Sequence, residues 1–181
     1  MNKSLANLPY DPEIYNNLGK CYQELNDLAS AYKCYNKAIQ LDSTMALVYN
    51  NRGSVVNFSL EYMQHVHPDD IASALKDFEK AITVDSALEI AWRNKGVAQM
   101  LLKRYEQALF SLNLAIHLDT TDYLAYFQRS ILYSKIGKFD LAEQDIFRCM
   151  YNDHINIQAT LVERGNILLH QTRYKEALAF F

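Results

Sequence analysis

Two kinds of side chain recur in this sequence at spacings that invite chemistry: a short histidine–aspartate run and a series of primary amides. The run is His65-x-His67-x-Asp69-Asp70, the one cluster that resembles a set of metal ligands. Histidines two residues apart leave a helix on different sides and converge only on an extended segment. No cysteine stands close enough in sequence to complete a tetrahedral set, so the run reads as a solvated helix end and no metal is expected. Cys21, Cys34 and Cys149 are sparse and odd in number, the pattern of a reducing compartment. Cys21 and Cys34 fall on neighbouring helices and read as small buried hydrophobes, with a disulfide as the alternative. A glycine-rich phosphate loop, a Gly-x-Ser-x-Gly elbow and a His-Glu-x-x-His pair are all missing from the sequence. Neither intrinsic catalysis nor a cofactor is expected.

The amides carry more. Asn17, Asn51, Asn94 and Gln128 each stand two residues before a recurring small residue, and Glu163 holds the same place in a fifth copy. A primary amide offers a donor and an acceptor together, so a row of them can pair with an extended peptide backbone whatever its side chains. The competing reading is that amides simply suit exposed helical faces.

Such a row needs repeated helices to position it. The small residue recurs as Gly19, Gly53, Gly96, Ser130 and Gly165, with gaps of 34, 43, 34 and 35. A second small site runs Ala31, Ala74, Ala108, Ala142 and Ala177, and a third runs Ala38, Ala81, Ala115 and Cys149. An aspartate follows the same period as Asp42, Asp85, Asp119 and Asp153. Four registers with one period identify an internal repeat.

Four residues before each Gly-type site stands a bulky residue: Tyr15, Tyr49, Trp92, Tyr126 and Leu161. That spacing puts the ring and the small residue on one helical face, where a second helix can come close. The paired small sites seven apart mark the seam of that second helix, with Tyr35, Phe78, Leu112 and Ile146 between them. Each repeat is therefore two antiparallel helices joined by a tight turn such as Glu24-Leu25-Asn26-Asp27. Short polar residues at 42–43, 85–86 and 119–120 suit the end of one helix and the cap of the next.

The stretch Tyr15-Asn-Asn-Leu-Gly19…Tyr22…Ala31…Tyr35…Ala38 resembles the tetratricopeptide repeat (TPR) family. Repeats at 12–45, 46–88, 89–122, 123–157 and an incomplete 158–181 form a single array over 1–181. Ser43, Ser86, Thr120 and His154 replace the closing proline common in the family. The resemblance implies an all-α fold, a right-handed α-solenoid of antiparallel helix pairs whose first helices line a concave groove. The amide row is similar to the asparagine ladder in the TPR domains of O-linked N-acetylglucosamine transferase and of some import receptors. Along the same face Ile90, Val97, Met100, Leu124, Phe127 and Ile131 form an apolar strip suited to a partner helix or an alternating segment. Some of these must also pack between helices. The carboxylate clamp of chaperone-binding relatives is not matched: in the first three repeats its places hold Asn16, Lys20, Asn51, Ile90 and Asn94, with one agreement.

The second repeat is longer by nine residues, placed within 57–70. Val56, Leu60 and Met63, and likewise Phe58, Tyr62 and Val66, follow helical spacing. They predict that the repeat's first helix runs on by about two and a half turns and breaks near His67-Pro68, with Asp69 and Asp70 opening the next helix. Its two stripes suit a docking surface or a return onto the array. The fifth repeat stops at Phe181, leaving Ala177, Phe180 and Phe181 uncovered, which reads as a fragment of a longer array or as an end-to-end contact between copies.

Composition narrows the rest. Among 181 residues 18 are basic and 21 acidic, a net charge of −3 that matches neither a nucleic-acid footprint nor a membrane-seeking surface. No apolar run approaches a membrane span and no signal-peptide core follows Met1, so a cytoplasmic protein is expected. The sequence thus points to a scaffold or adaptor that holds a protein or peptide partner in its groove. The alternatives are the substrate-recognition module of a larger enzyme, glycosyltransferase-like, and a structural subunit of a large assembly.

Overall fold

A computed structural model describes residues 10–56, 67–150 and 157–180, and its regular structure there is entirely helical. The helices are α1 (Pro12–Glu24), α2 (Leu28–Leu41), α3 (Ala46–Gly53), α4 (Pro68–Val84), α5 (Glu89–Leu101), α6 (Tyr105–Leu118), α7 (Tyr123–Lys135), α8 (Phe139–Cys149), α9 (Ile157–His170) and α10 (Tyr174–Ala177). A 3-10 turn, Leu178–Phe180, follows. They form two compact bodies, one reaching to Asn94 and the other starting at Lys95, within α5.

The repeated residues do the packing expected of them. A Cβ on Gly19 would stand 2.5 Å from the ring of Tyr35, and one on Gly53 2.7 Å from Phe78. In the C-terminal body a Cβ on Gly96 would meet Leu112 at 2.7 Å. Tyr35, Phe78 and Leu112 are fully enclosed, so the glycines are the notches into which the second helix's central side chain seats. Around the first notch Tyr15, Ala31, Tyr35, Ala38 and Val48 form one core cluster, and Tyr49, Ala81 and Ala91 form another in the same body.

The helix ends show what the aspartates are for. Asp42, Asp85 and Asp119 sit at C-caps with extended backbone, and their N–H groups donate to Ala38, Ala81 and Ala115 carbonyls. Each carboxylate then accepts from the backbone two residues on, at Thr44, Ala87 and Thr121, at 2.8–2.9 Å. Asp153 lies outside the described residues. Asp11 caps α1, whose first residue is Pro12.

The turns between paired helices use a device that composition hides. Asn26, Lys103, Gly137 and Thr172 occupy equivalent places with φ of 58°, 58°, 75° and 61°. In each turn the next N–H reaches back five residues, as from Asp27 to Tyr22 O at 2.8 Å and from Lys138 to Tyr133 O at 2.8 Å. This closes the helix end with a left-handed residue. Only Gly137 takes that conformation without steric cost.

Three expectations change. The first helix of the second repeat does not run on: α3 stops at Gly53 and the chain turns at Ser54. Ser54 Oγ bonds to the carbonyls of Asn50 and Asn51 at 2.9 and 3.0 Å, and Gln23 donates to Ser54 O at 3.2 Å. These bonds satisfy the carbonyls a continuing helix would have used. The remainder of the apolar stripes, Phe58 to Val66, lies outside the described residues, whereas α4 does begin at Pro68 with His67 as its cap. Second, Ala177 is buried and Phe180 lies against the Arg164 guanidinium at 4.7 Å, whereas Leu178 is exposed; Phe181 lies outside the described residues. Third, Cys21 is exposed rather than a small buried hydrophobe, whereas Cys34 and Cys149 are buried, and all three are free thiols. Burial pushes the Cys149 thiol up to about 12.

Candidate functional site

In the N-terminal body the amides are tied to one another. Asn51 Nδ2 donates to Asn16 Oδ1 at 2.9 Å, and Asn94 Nδ2 donates to Asn50 Oδ1 at 2.9 Å. A longer contact of 3.5 Å from Asn50 to Asn51 connects the two pairs. Each strong bond runs from the place two before a glycine to the place three before the preceding one, joining α1 to α3 and α3 to α5. Asn50 is 1% exposed, Asn16 6% and Asn51 8%. Asn17 stands outside this chain, exposed, and Asn94 is half-buried at its end.

Asn16 and Asn50 were not expected in the site. The signal was the doublet itself, since Tyr15-Asn-Asn17 and Tyr49-Asn-Asn51 repeat the same triplet. One amide in each doublet holds the neighbouring helix and the other is held or faces outward. By donor and acceptor count, these bonds leave the second N–H of Asn51 and of Asn94 and the carbonyl oxygen of Asn94 unused.

A repeated arginine clamps the first helices from another side. Arg52 bonds both carboxylate oxygens of Asp77 at 2.8 and 2.5 Å and Asn36 at 2.7 Å. In the C-terminal body Arg129 does the same with Asp145 at 2.7 and 2.8 Å and Asn113 at 2.7 Å. Each guanidinium also lies over the repeated aromatic, Tyr49 at 5.7 Å and Tyr126 at 5.4 Å. Hydrogen bonding to Asp77 holds the Arg52 pKa above its ordinary value; at Arg129 burial works the other way, and Asp145 outweighs it. In the fifth repeat the equivalent Arg164 lies over two rings, Phe147 at 4.3 Å and Phe180 at 4.7 Å, and reaches Glu143 only at 4.0 Å.

The remaining expected site residues divide by burial. Ile90 is half-buried in the N-terminal body. In the C-terminal body Val97, Met100 and Phe127 are buried, which withdraws them from the accessible face, while Leu124 is 46% exposed. Gln128 is half-buried, and its Oε1 is a buried acceptor with no hydrogen-bond partner. Ile131 and Glu163 come together in a pocket of about 310 Å³ between α7 and α9, with Ser134, Lys135, Asn166 and His170. Ser134 Oγ donates to Glu163 Oε1 at 3.0 Å. Burial raises the Glu163 pKa against the opposing pull of Ser134, Asn166, Lys135 and His170. Among the described residues no group of three or more His, Cys, Asp and Glu side chains is placed to hold a metal ion. No helix there is long and apolar enough to cross a membrane.

The family model of the tetratricopeptide repeat matches residues 12–45. Anaphase-promoting complex subunit 3 of Schizosaccharomyces pombe is 25% identical over 181 residues, covering 99% of this chain and 20% of that protein. The chain thus spans about a fifth of the length of this curated relative. The solved structure of PilF from Pseudomonas aeruginosa has a TM-score of 0.76 at 19% identity, covering 93% of this chain and 72% of that one. That of YrrB, described as a TPR protein with an unusual peptide-binding site, has a TM-score of 0.64 at 24% identity, covering 94% and 83%. At these identities the structures speak for the fold alone. Residues 12–45 thus match the tetratricopeptide repeat, and the chain shares the all-α fold of solved tetratricopeptide repeat structures.

Proposed function

We propose that this chain is a scaffold or adaptor that binds an extended peptide or a partner helix on the faces of its first helices. The observation that carries the reading is the linked amide chain Asn16–Asn51–Asn50–Asn94. Amides already fixed by one bond present their remaining donors and acceptors in a set geometry, which lowers the ordering cost of pairing with a peptide backbone. Exposed Asn17 and half-buried Ile90 extend that surface in the N-terminal body. Leu124 and Gln128 give the C-terminal body its own face, with Ile131 buried behind it, and the Gln128 oxygen there has no hydrogen-bond partner. The description of YrrB as peptide-binding supports this reading.

A second reading has its own support. Subunit 3 of the anaphase-promoting complex belongs, by its name, to a multi-protein assembly, which favours a structural subunit holding larger partners by the same surfaces. A substrate-recognition module of a larger enzyme remains the third form of the same binding role.

The test is a panel of random decapeptides screened against the purified protein, with the side-chain NH2 resonances of Asn17, Asn51, Asn94 and Gln128 followed by NMR. Binding on the first helices shifts these resonances. Shifts confined to the second helices, around Tyr32 and Phe110, would reject the assignment.

A further inference from the structure

Glu163 occupies the amide place of its repeat, yet it does not serve as an amide would. Its carboxylate lies in the wall of the pocket between α7 and α9, where Ser134 donates to Oε1 at 3.0 Å and Asn166 adds a second hydrogen bond. A carboxylate has about four acceptor positions, so these bonds leave part of it open to the pocket. Two other acids withdrawn from water in this body have arginine partners, Asp145 with Arg129 at 2.7 Å and Glu143 with Arg173 at 3.1 Å, and buried Asp122 accepts from the backbone N–H of Ala125 at 3.2 Å. Glu163 forms no ion pair among the described residues. Lys135 shares the pocket wall but is exposed, and its long stem lets the ammonium stay in water. His170 is stacked against Phe139, with ring centroids 5.5 Å apart and planes 7° from parallel. Ile131 supplies an apolar side. At about 310 Å³ the pocket is at the small end of ligand sites and suits one long side chain.

We infer that this pocket is a specificity subsite for a single lysine or arginine side chain of the bound partner, its cation paired with the Glu163 carboxylate and its methylene stem laid on Ile131. The inference deepens the peptide-binding reading and rests on it. It explains why an acid stands in an amide register: a neutral amide would favour any backbone, whereas a half-desolvated carboxylate selects a cation and rejects a neutral isostere. The rise in the Glu163 pKa agrees with a carboxylate waiting for a counter-charge.

N-acetyl-arginine methylamide and its lysine counterpart, titrated into the isotope-labelled chain, test the subsite directly. The controls are the citrulline and norleucine analogues. The cationic probes are expected to shift Ile131, Ser134 and Asn166 saturably, about tenfold more tightly than the neutral ones. E163Q removes that preference, and K135A, which deletes a rim cation, sharpens it. Equal binding of charged and neutral probes, or a preference that survives E163Q, would overturn the subsite. The decapeptide screen answers separately. Peptides that bind the first helices while the pocket ignores cations defeat the subsite alone, and peptides that bind elsewhere defeat the broader reading.

Discussion

Replacing Asn51 with alanine separates a structural amide from a ligand-binding one. Asn51 Nδ2 donates to Asn16 Oδ1 at 2.9 Å, and both residues are less than 9% exposed. Truncation leaves the Asn16 oxygen buried without its donor, a loss of about 1–3 kcal/mol. The 3.5 Å contact from Asn50 sits at the limit of a hydrogen bond and adds little. Asn17 is exposed and outside the amide chain, so Asn17→Ala should stay within about 0.5 kcal/mol of the parent. For a chain of this size each kcal/mol moves the melting temperature by about 2–4 °C, so Asn51→Ala should be plainly visible and Asn17→Ala nearly silent. Urea unfolding of Asn16→Ala, Asn51→Ala and the double variant completes a cycle whose coupling should be about 0.5–1.5 kcal/mol. Hydrogen exchange at α1 and α3 locates the loss, since an array need not unfold in one step. If Asn51→Ala and Asn17→Ala cost the same and the coupling is zero, the amide chain is not a structural link and the reasoning fails.

Three further perturbations follow from the packing and the charges. Gly19→Ala should destabilise despite the roughly 1 kcal/mol that alanine gains in a helix, because its Cβ would lie 2.5 Å from a Tyr35 ring held by its own bond to Gln23 at 3.0 Å. A melting temperature at or above the parent's would show that the ring can yield. Asp145→Ala should cost about 3 kcal/mol, the lower end for a broken buried pair, since Arg129 keeps its bond to Asn113 and some contact with water; calorimetry showing less than 1 kcal/mol would contradict the clamp. Glu163→Gln should stabilise the folded chain at neutral pH. Burial raises this carboxyl's folded-state pKa, so the folded form holds its proton where the unfolded form has lost it, and stability falls as pH rises through that window. The variant removes this loss, and its advantage over the parent should shrink on acidification in urea melts at successive pH values. A gap that is constant with pH would assign the effect elsewhere.

Much of the architecture is written in single-residue spacings. A small residue four after an aromatic, or two alanines seven apart, encodes a contact that forms whenever those residues are helical. The buried faces of both helices were therefore legible, whereas the seating of Tyr35 at Gly19 and of Phe78 at Gly53 came from the packed structure. The cap aspartates were legible for the same reason, since Asp42, Asp85 and Asp119 act on backbone two residues away. The end of α3 at Gly53 was not, because the apolar spacing of the insertion says helix while Ser54 and Gln23 satisfy the carbonyls of a turn. Nor were the left-handed residues at Lys103 and Thr172, whose types argue against that conformation and whose helix closure demands it.

The sequence by itself determined the repeat, the helix pairs, their notches and caps, and the row of amides at one place in the period. These are local matters, settled by residues within a few turns of one another. Tertiary structure decided which amides face a ligand and which hold a neighbouring helix, because Asn51 and Asn94 find their partners 35 and 44 residues away. It also decided that Arg129 is clamped by two bonds to one acid while Arg164 lies over two rings with Glu143 at 4.0 Å, and that Glu163 stands in a pocket with no ion pair among the described residues. Spacing places a polar side chain on a face. Whether it meets water, an amide or a charge depends on the helix packed beside it, and that is set only when the repeats come together.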